Sequence, residues 1–255
     1  MNASAPTAPS DPQLPPRQIC PPPGLGPVTA LAAAGMVLIA VMGWLLHDST
    51  FDLAATQVAN RTFTGTTRQF FDALYAALLG RNLPIVLIVG LVVIGLISRR
   101  ILRPLIAALT IASTWALVFI PKALVGRPRP DWDFLAHPPH SLPSDMSFPS
   151  GHTTFIAVMV AVGLIATYRG LDPSLSRSAV GWKGLSIVAA VGCAAIALIV
   201  ATVMARGVHF ASDAAGAIIF SFTLAPLVWV LWENLAFRLL FRGFSGPRGG
   251  ESPVA

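Results

Sequence analysis

The chain has 255 residues, of which 55% are hydrophobic and 11% are charged, and its formal net charge is +6. Soluble domains carry about 25% charged residues. The composition therefore excludes a water-soluble globular domain, and the high apolar content excludes a chain that is disordered throughout. The basic residues form short clusters between apolar blocks, which is typical of an integral membrane protein and does not indicate a nucleic-acid partner.

The chain begins with a proline-rich segment, because nine prolines fall within the first 27 residues. Proline fixes φ and removes a backbone donor, so residues 1–27 are predicted to form a disordered tail. The membrane domain is predicted over residues 28–240, and a second flexible tail over residues 241–255.

Six apolar blocks follow, and a helix needs roughly 20 apolar residues to cross a bilayer. The blocks show no alternation of polar and apolar residues, so the predicted fold is an all-α bundle of six transmembrane helices rather than a barrel. Their approximate bounds are Val28–Leu46, Leu83–Ser98, Leu105–Ala123, Gly151–Tyr168, Leu185–Ala205 and Val208–Trp232. Between the first two spans, Phe51–Gly80 is predicted to form a short amphipathic helix on the outer surface.

Lysine and arginine in short loops set the orientation of membrane proteins. The six-span topology puts ten of the 17 Lys and Arg residues on one side, which is therefore predicted to be cytoplasmic together with both termini. The Ala-, Arg- and Pro-rich usage is typical of a bacterial protein, so we expect an inner (plasma) membrane location and a periplasmic outer face. The ten residues are Arg17, Arg99, Arg100, Arg103, Arg169, Arg177, Lys183, Arg238, Arg242 and Arg248.

Three polar clusters fall at the ends of spans, and the topology places all three at the outer face. Charged residues near a membrane are costly and mark candidate functional sites. The first cluster is Lys122 with Arg127-Pro128-Arg129-Pro130, the second is Pro149-Ser150-Gly151-His152, and the third is Arg206-Gly207-Val208-His209 with Asp213.

Each cluster taken alone also has a purely structural explanation. Lys122 and Arg129 can bind phosphate or snorkel to lipid headgroups. Ser150 and Gly151 precede an apolar helix whose N-terminus can bind an anion, although Ser150 can equally be a helix cap. His152 adds a group that exchanges protons near neutral pH.

His209 and Asp213 are spaced i, i+4 and share one helix face. The carboxylate can fix the imidazole tautomer and leave the other nitrogen free as a nucleophile, or the two can form a structural pair. Together, the cations, the helix N-terminus and the two histidines suit phosphoryl transfer. Neither Cys20 nor Cys193 belongs to a metal-ligand spacing, so no metal or cofactor is predicted.

The motifs Lys122-x6-Arg129-Pro130, Pro149-Ser150-Gly151-His152 and His209-x3-Asp213 resemble those of the phosphatidic acid phosphatase type 2 superfamily, in its membrane lipid phosphatase branch. The resemblance implies that His209 attacks phosphorus to form a phosphohistidine and that His152 protonates the departing alcohol. It further implies that Asp213 orients His209. Lys122, Arg129, Ser150 and Gly151 would hold the phosphate oxygens of a membrane lipid phosphate or diphosphate, without a metal.

The third motif departs from the family, which has Ser-Arg where this chain has Thr202-Val203. We expect Arg206 or Arg127 to supply the missing cation. The departure keeps two alternatives open: a lipid phosphotransferase of the same fold, and a non-catalytic membrane scaffold or transporter. Transporters place polar groups at mid-membrane, whereas these clusters lie at span ends. The sequence does not determine the oligomeric state or the lipid.

Overall fold

A computed structural model describes residues 24–79, 82–97, 99, 101–139, 145–170 and 179–241 of the chain. The described residues are helical or irregular, and no strand occurs among them. A 3₁₀ turn covers Trp132–Phe134. The helices are α1 (Leu25–Leu46), α2 (Leu53–Thr62), α3 (Gly65–Leu79), α4 (Asn82–Ile97), α5 (Leu102–Leu117), α6 (Phe119–Val125), α7 (Gly151–Gly170), α8 (Ala179–Ala205) and α9 (Ala211–Phe241).

Five helical stretches in the described part of the chain are long and apolar enough to cross a membrane: α1, α5 with α6, α7, α8 and α9. Large apolar side chains such as Val37, Ile97 and Val191 are exposed on the outside of the bundle, where lipid contact suits them. The protein is an integral membrane protein. The length criterion gives five candidate spans rather than six, because α4 has 16 residues and is about 24 Å long.

Helix α9 lies at the centre of the bundle and packs against α1, α5 and α7. Helix α7 also packs against α8, and α4 packs against α5. The central core combines apolar residues of α5, α7 and α9: Ile106, Ala107, Ile111, Phe155, Val158, Val162, Trp229 and Val230. Gly35 of α1 faces Thr223 of α9 with no room for a Cβ, so a small residue lets these two helices approach closely.

The first helix begins a few residues before the start of the predicted membrane domain. Helix α1 begins at Leu25 and includes Pro27, which the predicted tail contained. Proline is tolerated there because the first turn of a helix has no intrahelical acceptor for its N–H groups. The remaining parts of both predicted tails, 1–23 and 242–255, lie outside the described residues.

The segment after α1 forms two helices, where the sequence predicted one. Phe63 is extended and Gly65 has a φ of 54°, which breaks the segment between α2 and α3. Thr56, Asn60 and Tyr75 are buried, and both helices pack against α8. The two helices are therefore part of the folded domain, in addition to covering one of its ends.

Two glycines in the left-handed region turn the chain from helix ends into the polar clusters. Gly126 has a φ of 64° and ends α6 directly before Arg127, and its N–H donates to Lys122 O at 3.1 Å. Gly207 has a φ of 69° and follows α8 directly before Val208 and His209. Only glycine adopts this conformation without strain, so these positions fix how the first and third clusters leave their helices.

Candidate active site

The three polar clusters predicted from the sequence are joined by hydrogen bonds at one end of the bundle. Arg129 Nη1 donates to Val208 O at 2.6 Å and lies 3.3 Å from His209 Nε2, which links the first cluster to the third. The Ser150 N–H donates to Asp213 O at 3.1 Å, which links the second cluster to the third. Segments far apart in the sequence therefore meet around the turn between α8 and α9.

His209 and Asp213 form a buried pair. His209 Nδ1 lies 3.3 Å from Asp213 Oδ2, and neither side chain is more than 1% exposed. With Nδ1 protonated and donating to the carboxylate, the lone pair of Nε2 faces Arg129. This tautomer is the one that a nucleophilic imidazole requires.

The charge state of His209 suits the same role. Burial and the positive charge of Arg129 lower the pKa of His209 to about 3, against the opposing effect of Asp213. The imidazole is therefore neutral at physiological pH. A neutral imidazole has an available lone pair, which a protonated one lacks.

Asp213 is held by several further donors. The Phe210 N–H donates to Oδ2 at 2.9 Å, and the Ser147 hydroxyl donates to the same oxygen. Arg127 Nη1 donates to Oδ1 at 2.7 Å. The backbone of the pair is also fixed, because Thr56 of α2 donates to His209 O at 3.1 Å.

Two cations lie beside His209, and both contact one carboxylate. Lys122 Nζ donates to Asp145 Oδ2 at 2.7 Å, and Arg129 Nη2 donates to Asp145 Oδ1 at 2.6 Å. The side chains of Lys122 and Arg129 are 4% and 8% exposed, whereas that of Asp145 is 43% exposed. Burial alone would raise the pKa of Asp145, but its two cationic partners outweigh burial and lower the pKa to about 2. The cations thus stabilise an anion at this position.

The beginning of α7 faces open space. The Ser150 hydroxyl accepts from the Thr153 N–H at 3.4 Å, as a helix cap does, and the Ser150 N–H is already bonded to Asp213 O. A Cβ built on Gly151 would meet no atom within 4 Å. Gly151 therefore leaves room at the helix N-terminus, where backbone N–H groups and the helix dipole favour an anion.

His152 follows directly and packs against α3. Its ring centroid lies 4.9 Å from that of Tyr75. Tyr75 is buried, and burial raises the pKa of its phenol. The Arg206 guanidinium lies 5.0 Å from the centre of the Tyr75 ring, and Arg206 Nη1 donates to Asp72 Oδ1 at 2.5 Å. Tyr75 thus contacts both Arg206 and His152.

The two arginines expected to replace the missing cation are both engaged with carboxylates. Arg127 is fully buried between Asp213 and Asp52, and Arg206 pairs with Asp72. Val203, at the position of the family's arginine, is fully buried in an apolar cluster with Tyr75. A phosphate contact from Arg127 or Arg206 stays a prediction, since the contacts that the structure gives both residues are to other protein groups.

The site includes residues that sequence reasoning did not select. Asp145, Asp52 and Ser147 contact the cations or the His209–Asp213 pair. The one sequence signal was the position of Asp145, a lone carboxylate just before the second motif. Within the described ranges, no group of three or more His, Cys, Asp or Glu residues could hold a metal ion.

The fold and site define a helical membrane protein with a histidine–aspartate pair beside two cations. The sequence model of the PAP2 superfamily matches residues 103–236, more than half of the chain. The chain therefore belongs to that superfamily. One similar solved structure is the "first transmembrane PAP2 type phosphatidylglycerolphosphate phosphatase from Bacillus subtilis", with a TM-score of 0.58 and 18% identity. The similarity covers 82% of this chain and 96% of that chain. A comparison with curated protein sequences finds no match.

Proposed function

We propose that the protein is an integral membrane phosphatase that hydrolyses a lipid phosphate or diphosphate through a phosphohistidine at His209. The observation that carries this proposal is the position of Arg129, whose Nη1 lies 3.3 Å from His209 Nε2 while its Nη2 binds an anionic oxygen of Asp145. The Arg129 guanidinium thus contacts both an anionic oxygen and the nitrogen that would attack phosphorus. Membership of the PAP2 superfamily and the fold of the phosphatase neighbour agree with this function.

In the first half of the reaction, the lone pair of His209 Nε2 attacks phosphorus, and the bond from phosphorus to the leaving oxygen breaks. His152 gives its proton to that oxygen, so the lipid leaves as an alcohol, or as a lipid monophosphate if the substrate is a diphosphate. The phosphoimidazolium that remains carries Nδ1–H, and the Asp213 carboxylate stabilises its positive charge.

In the second half, water replaces the alcohol. His152, now neutral, takes a proton from the water while its oxygen bonds to phosphorus, and the bond from phosphorus to His209 Nε2 breaks. Inorganic phosphate is released, and both histidines return to their starting protonation states. No metal takes part in these steps.

The phosphate oxygens are held by Lys122, Arg129 and the N-terminus of α7. Gly151 provides room and backbone donors there, and Ser150 fixes the helix start. We assign Arg127 and Arg206 as positioning residues, Arg127 through Asp213 and Arg206 through Tyr75 and His152. Two cations and a helix N-terminus supply the charge stabilisation that phosphoryl transfer needs.

A six-span topology is supported by the ends of the helices. The His47 imidazole, after α1, hydrogen-bonds to Val125 O, at the end of α6, with 2.5 Å between Nδ1 and the oxygen, so α1 and α6 end on one face. Helix α5 leads into α6 and begins on the opposite face. In the six-span topology the chain between His47 and Leu102 crosses once, and α4 is the apolar helix available in that segment.

With α4 as a span, α1 begins and α9 ends on the face opposite to the site, which favours the expectation that both termini are cytoplasmic. The described basic residues near the helix ends on that face favour a cytoplasmic location for it, and the site then opens at the periplasmic or extracellular face of the plasma membrane. They are Arg99, Arg103, Arg169, Lys183 and Arg238. A lipid substrate reaches a site at this level from the side, with its tails in the bilayer and its phosphate among the headgroups.

The experiment is a phosphate-release assay on the full-length protein in lipid vesicles, with phosphatidate, phosphatidylglycerolphosphate and an isoprenoid diphosphate. We expect release from at least one lipid, loss of release in His209→Ala and a large loss in His152→Ala. Arg61→Ala, at an exposed arginine of α2, is the control for a substitution outside the site and should release phosphate at the wild-type rate. Unchanged turnover in both histidine variants would refute the mechanism.

A lipid phosphotransferase is the second candidate, and the apolar Val203 at the position of the family's arginine favours it. In this reaction an alcohol takes the place of water and attacks the phosphohistidine. The same vesicles with an added alcohol would then yield a new phosphate ester of that alcohol, with little free phosphate. A protein that releases no phosphate and forms no ester, with or without the alcohol, would instead be a non-catalytic member of the fold.

A further inference from the structure

The Asp145 carboxylate occupies the anion position of the candidate active site. Its two oxygens accept from Lys122 and Arg129 at 2.7 and 2.6 Å. Both donors belong to the first motif, and Arg129 also lies 3.3 Å from the His209 imidazole. A carboxylate and a phosphate both present paired oxygens to a guanidinium and an ammonium, so a phosphate that binds the same N–H groups has to replace the carboxylate.

The backbone next to Asp145 is fixed, so its side chain can leave without movement of the site. The Ser147 N–H donates to Arg127 O at 2.8 Å, and the Ser147 hydroxyl donates to Asp213. The carbonyls of Asp145 and Met146 accept from Arg129 Nε and Lys122 Nζ at 3.0 and 2.6 Å. These backbone contacts keep the cations aligned when the half-exposed carboxylate turns away.

We propose that Asp145 is a specificity-determining residue that competes with the substrate for Lys122 and Arg129 and thereby selects lipids with one phosphate over lipids with a diphosphate. This inference rests on the proposed function. The displaced carboxylate stays at the rim of the pocket because its backbone is fixed. Two cations and this carboxylate leave a local charge of +1, and a diphosphate brings one more negative charge than a monophosphate to that rim.

The surrounding charges do not offset this repulsion. Arg127 is buried between two carboxylates, and Arg206 is paired with Asp72. The position where the family has an arginine is the buried Val203. Within the described part of the site, Lys122 and Arg129 are therefore the Lys and Arg side chains that contact the anion position, and Asp145 reduces their combined effect.

The first measurement is the affinity of the full-length protein in detergent for inorganic vanadate, by direct titration and without turnover. We expect Asp145→Asn to bind vanadate about tenfold more tightly, since a neutral amide competes less with an anion than a carboxylate does. Asp133→Asn removes the same charge from an exposed position of the same loop and should bind like the wild type. Asp145→Glu keeps the charge and should also bind like the wild type.

The second measurement compares kcat/KM for a monophosphate and a diphosphate of the same alcohol. We expect the wild type to prefer the monophosphate, and Asp145→Asn to raise the relative rate on the diphosphate about threefold or more, as removal of one like charge at the rim predicts. Asp133→Asn should leave the ratio unchanged.

Three results would overturn the inference. Unchanged or weaker vanadate binding in Asp145→Asn would mean that the carboxylate only aligns the cations. Equal tightening in Asp145→Glu or Asp133→Asn would exclude charge competition at this position. An unchanged substrate ratio would exclude selectivity. Failure of the wild type and of every variant to bind vanadate would instead reject the proposed phosphatase, and this inference with it.

Discussion

Arg127 Nη1 donates to Asp213 Oδ1 at 2.7 Å, and both side chains are fully buried. The same guanidinium donates to Asp52 Oδ1 at 3.1 Å and to Ser49 O at 2.7 Å. Asp52 also accepts from the Ser212 N–H, at the beginning of α9, at 2.7 Å. One arginine thus connects the aspartate of the site to the segment that follows α1.

We expect Arg127→Ala to destabilise the protein by about 3–5 kcal/mol, since loss of one partner leaves buried carboxylates without compensation. Arg127→Lys should recover only part of this loss, because an ammonium group lacks the planar set of N–H donors with which a guanidinium binds two carboxylates. Thermal unfolding in detergent measures the effect. The matched control is Arg61→Ala at an exposed arginine, which should change stability by no more than about 0.5 kcal/mol.

An Arg127→Ala variant that unfolds at the wild-type temperature would contradict a role in holding Asp213. Loss of activity with wild-type stability would instead favour the sequence-based expectation that Arg127 binds phosphate directly.

Hydropathy and motifs predicted the helices and the residues that meet at one end of the bundle. The residue types and spacing of Arg129, Ser150, His209 and Asp213 suit phosphate chemistry, so the sequence alone indicates them as candidates. The family assignment from these motifs is confirmed. Hydropathy is a local property and the motifs repeat across a family, so both can be recognised in a single sequence.

The partners of the buried charges could not be predicted in the same way. Arg127 and Arg129 are two residues apart in one motif, yet Arg127 binds buried carboxylates and Arg129 lies beside His209. Their different roles depend on Asp52 and Asp145, which are distant in sequence and belong to no recognisable pattern. The break between α2 and α3 was missed because it depends on one left-handed glycine, Gly65.

The lowered pKa of His209 predicts how stability depends on pH. Burial, followed by the charge of Arg129, lowers the pKa in the folded state to about 3, from the ordinary value of 6.5. As pH falls below about 6.5, the unfolded chain binds a proton before the folded one does, so this histidine lowers the free energy of unfolding across the window between the two values. The slope is at most about 1.4 kcal/mol per pH unit.

We expect His209→Gln to reduce the loss of stability between pH 6.5 and pH 4.5, because glutamine does not titrate. Unfolding temperatures of the two proteins across that range provide the test. The lower limit avoids Asp145, whose lowered pKa of about 2 causes a separate loss only below its ordinary value of 3.8. Identical pH dependence in the two proteins would contradict a buried, neutral His209.

Gly151 offers a test of anion binding at the N-terminus of α7. Apart from its own helix backbone, a Cβ there would meet no protein atom within 4 Å, so Gly151→Ala should fold normally. We nevertheless expect a rise in KM of about tenfold or more, because the methyl group takes the space of a phosphate oxygen. That rise corresponds to about 1.4 kcal/mol of binding.

The matched control for Gly151 is Gly184→Ala in α8, which is also helical and also has no atom within 4 Å of its Cβ position. It should leave KM unchanged. An equal KM in wild type and Gly151→Ala would show that substrate phosphate does not approach this helix end.

Arg206 distinguishes direct phosphate binding from positioning of the general acid. Arg206 lies over the Tyr75 ring, and Tyr75 packs against His152. We expect Arg206→Ala to lower kcat on an alkyl phosphate about tenfold or more. The loss of kcat on p-nitrophenyl phosphate should be smaller, because its leaving group needs little protonation. The affinity for vanadate should stay unchanged. Asp72→Asn, which removes the partner of Arg206, should show the same pattern more weakly. A loss of about 10²–10³ with both substrates, together with weaker vanadate binding, would assign Arg206 to the phosphate instead.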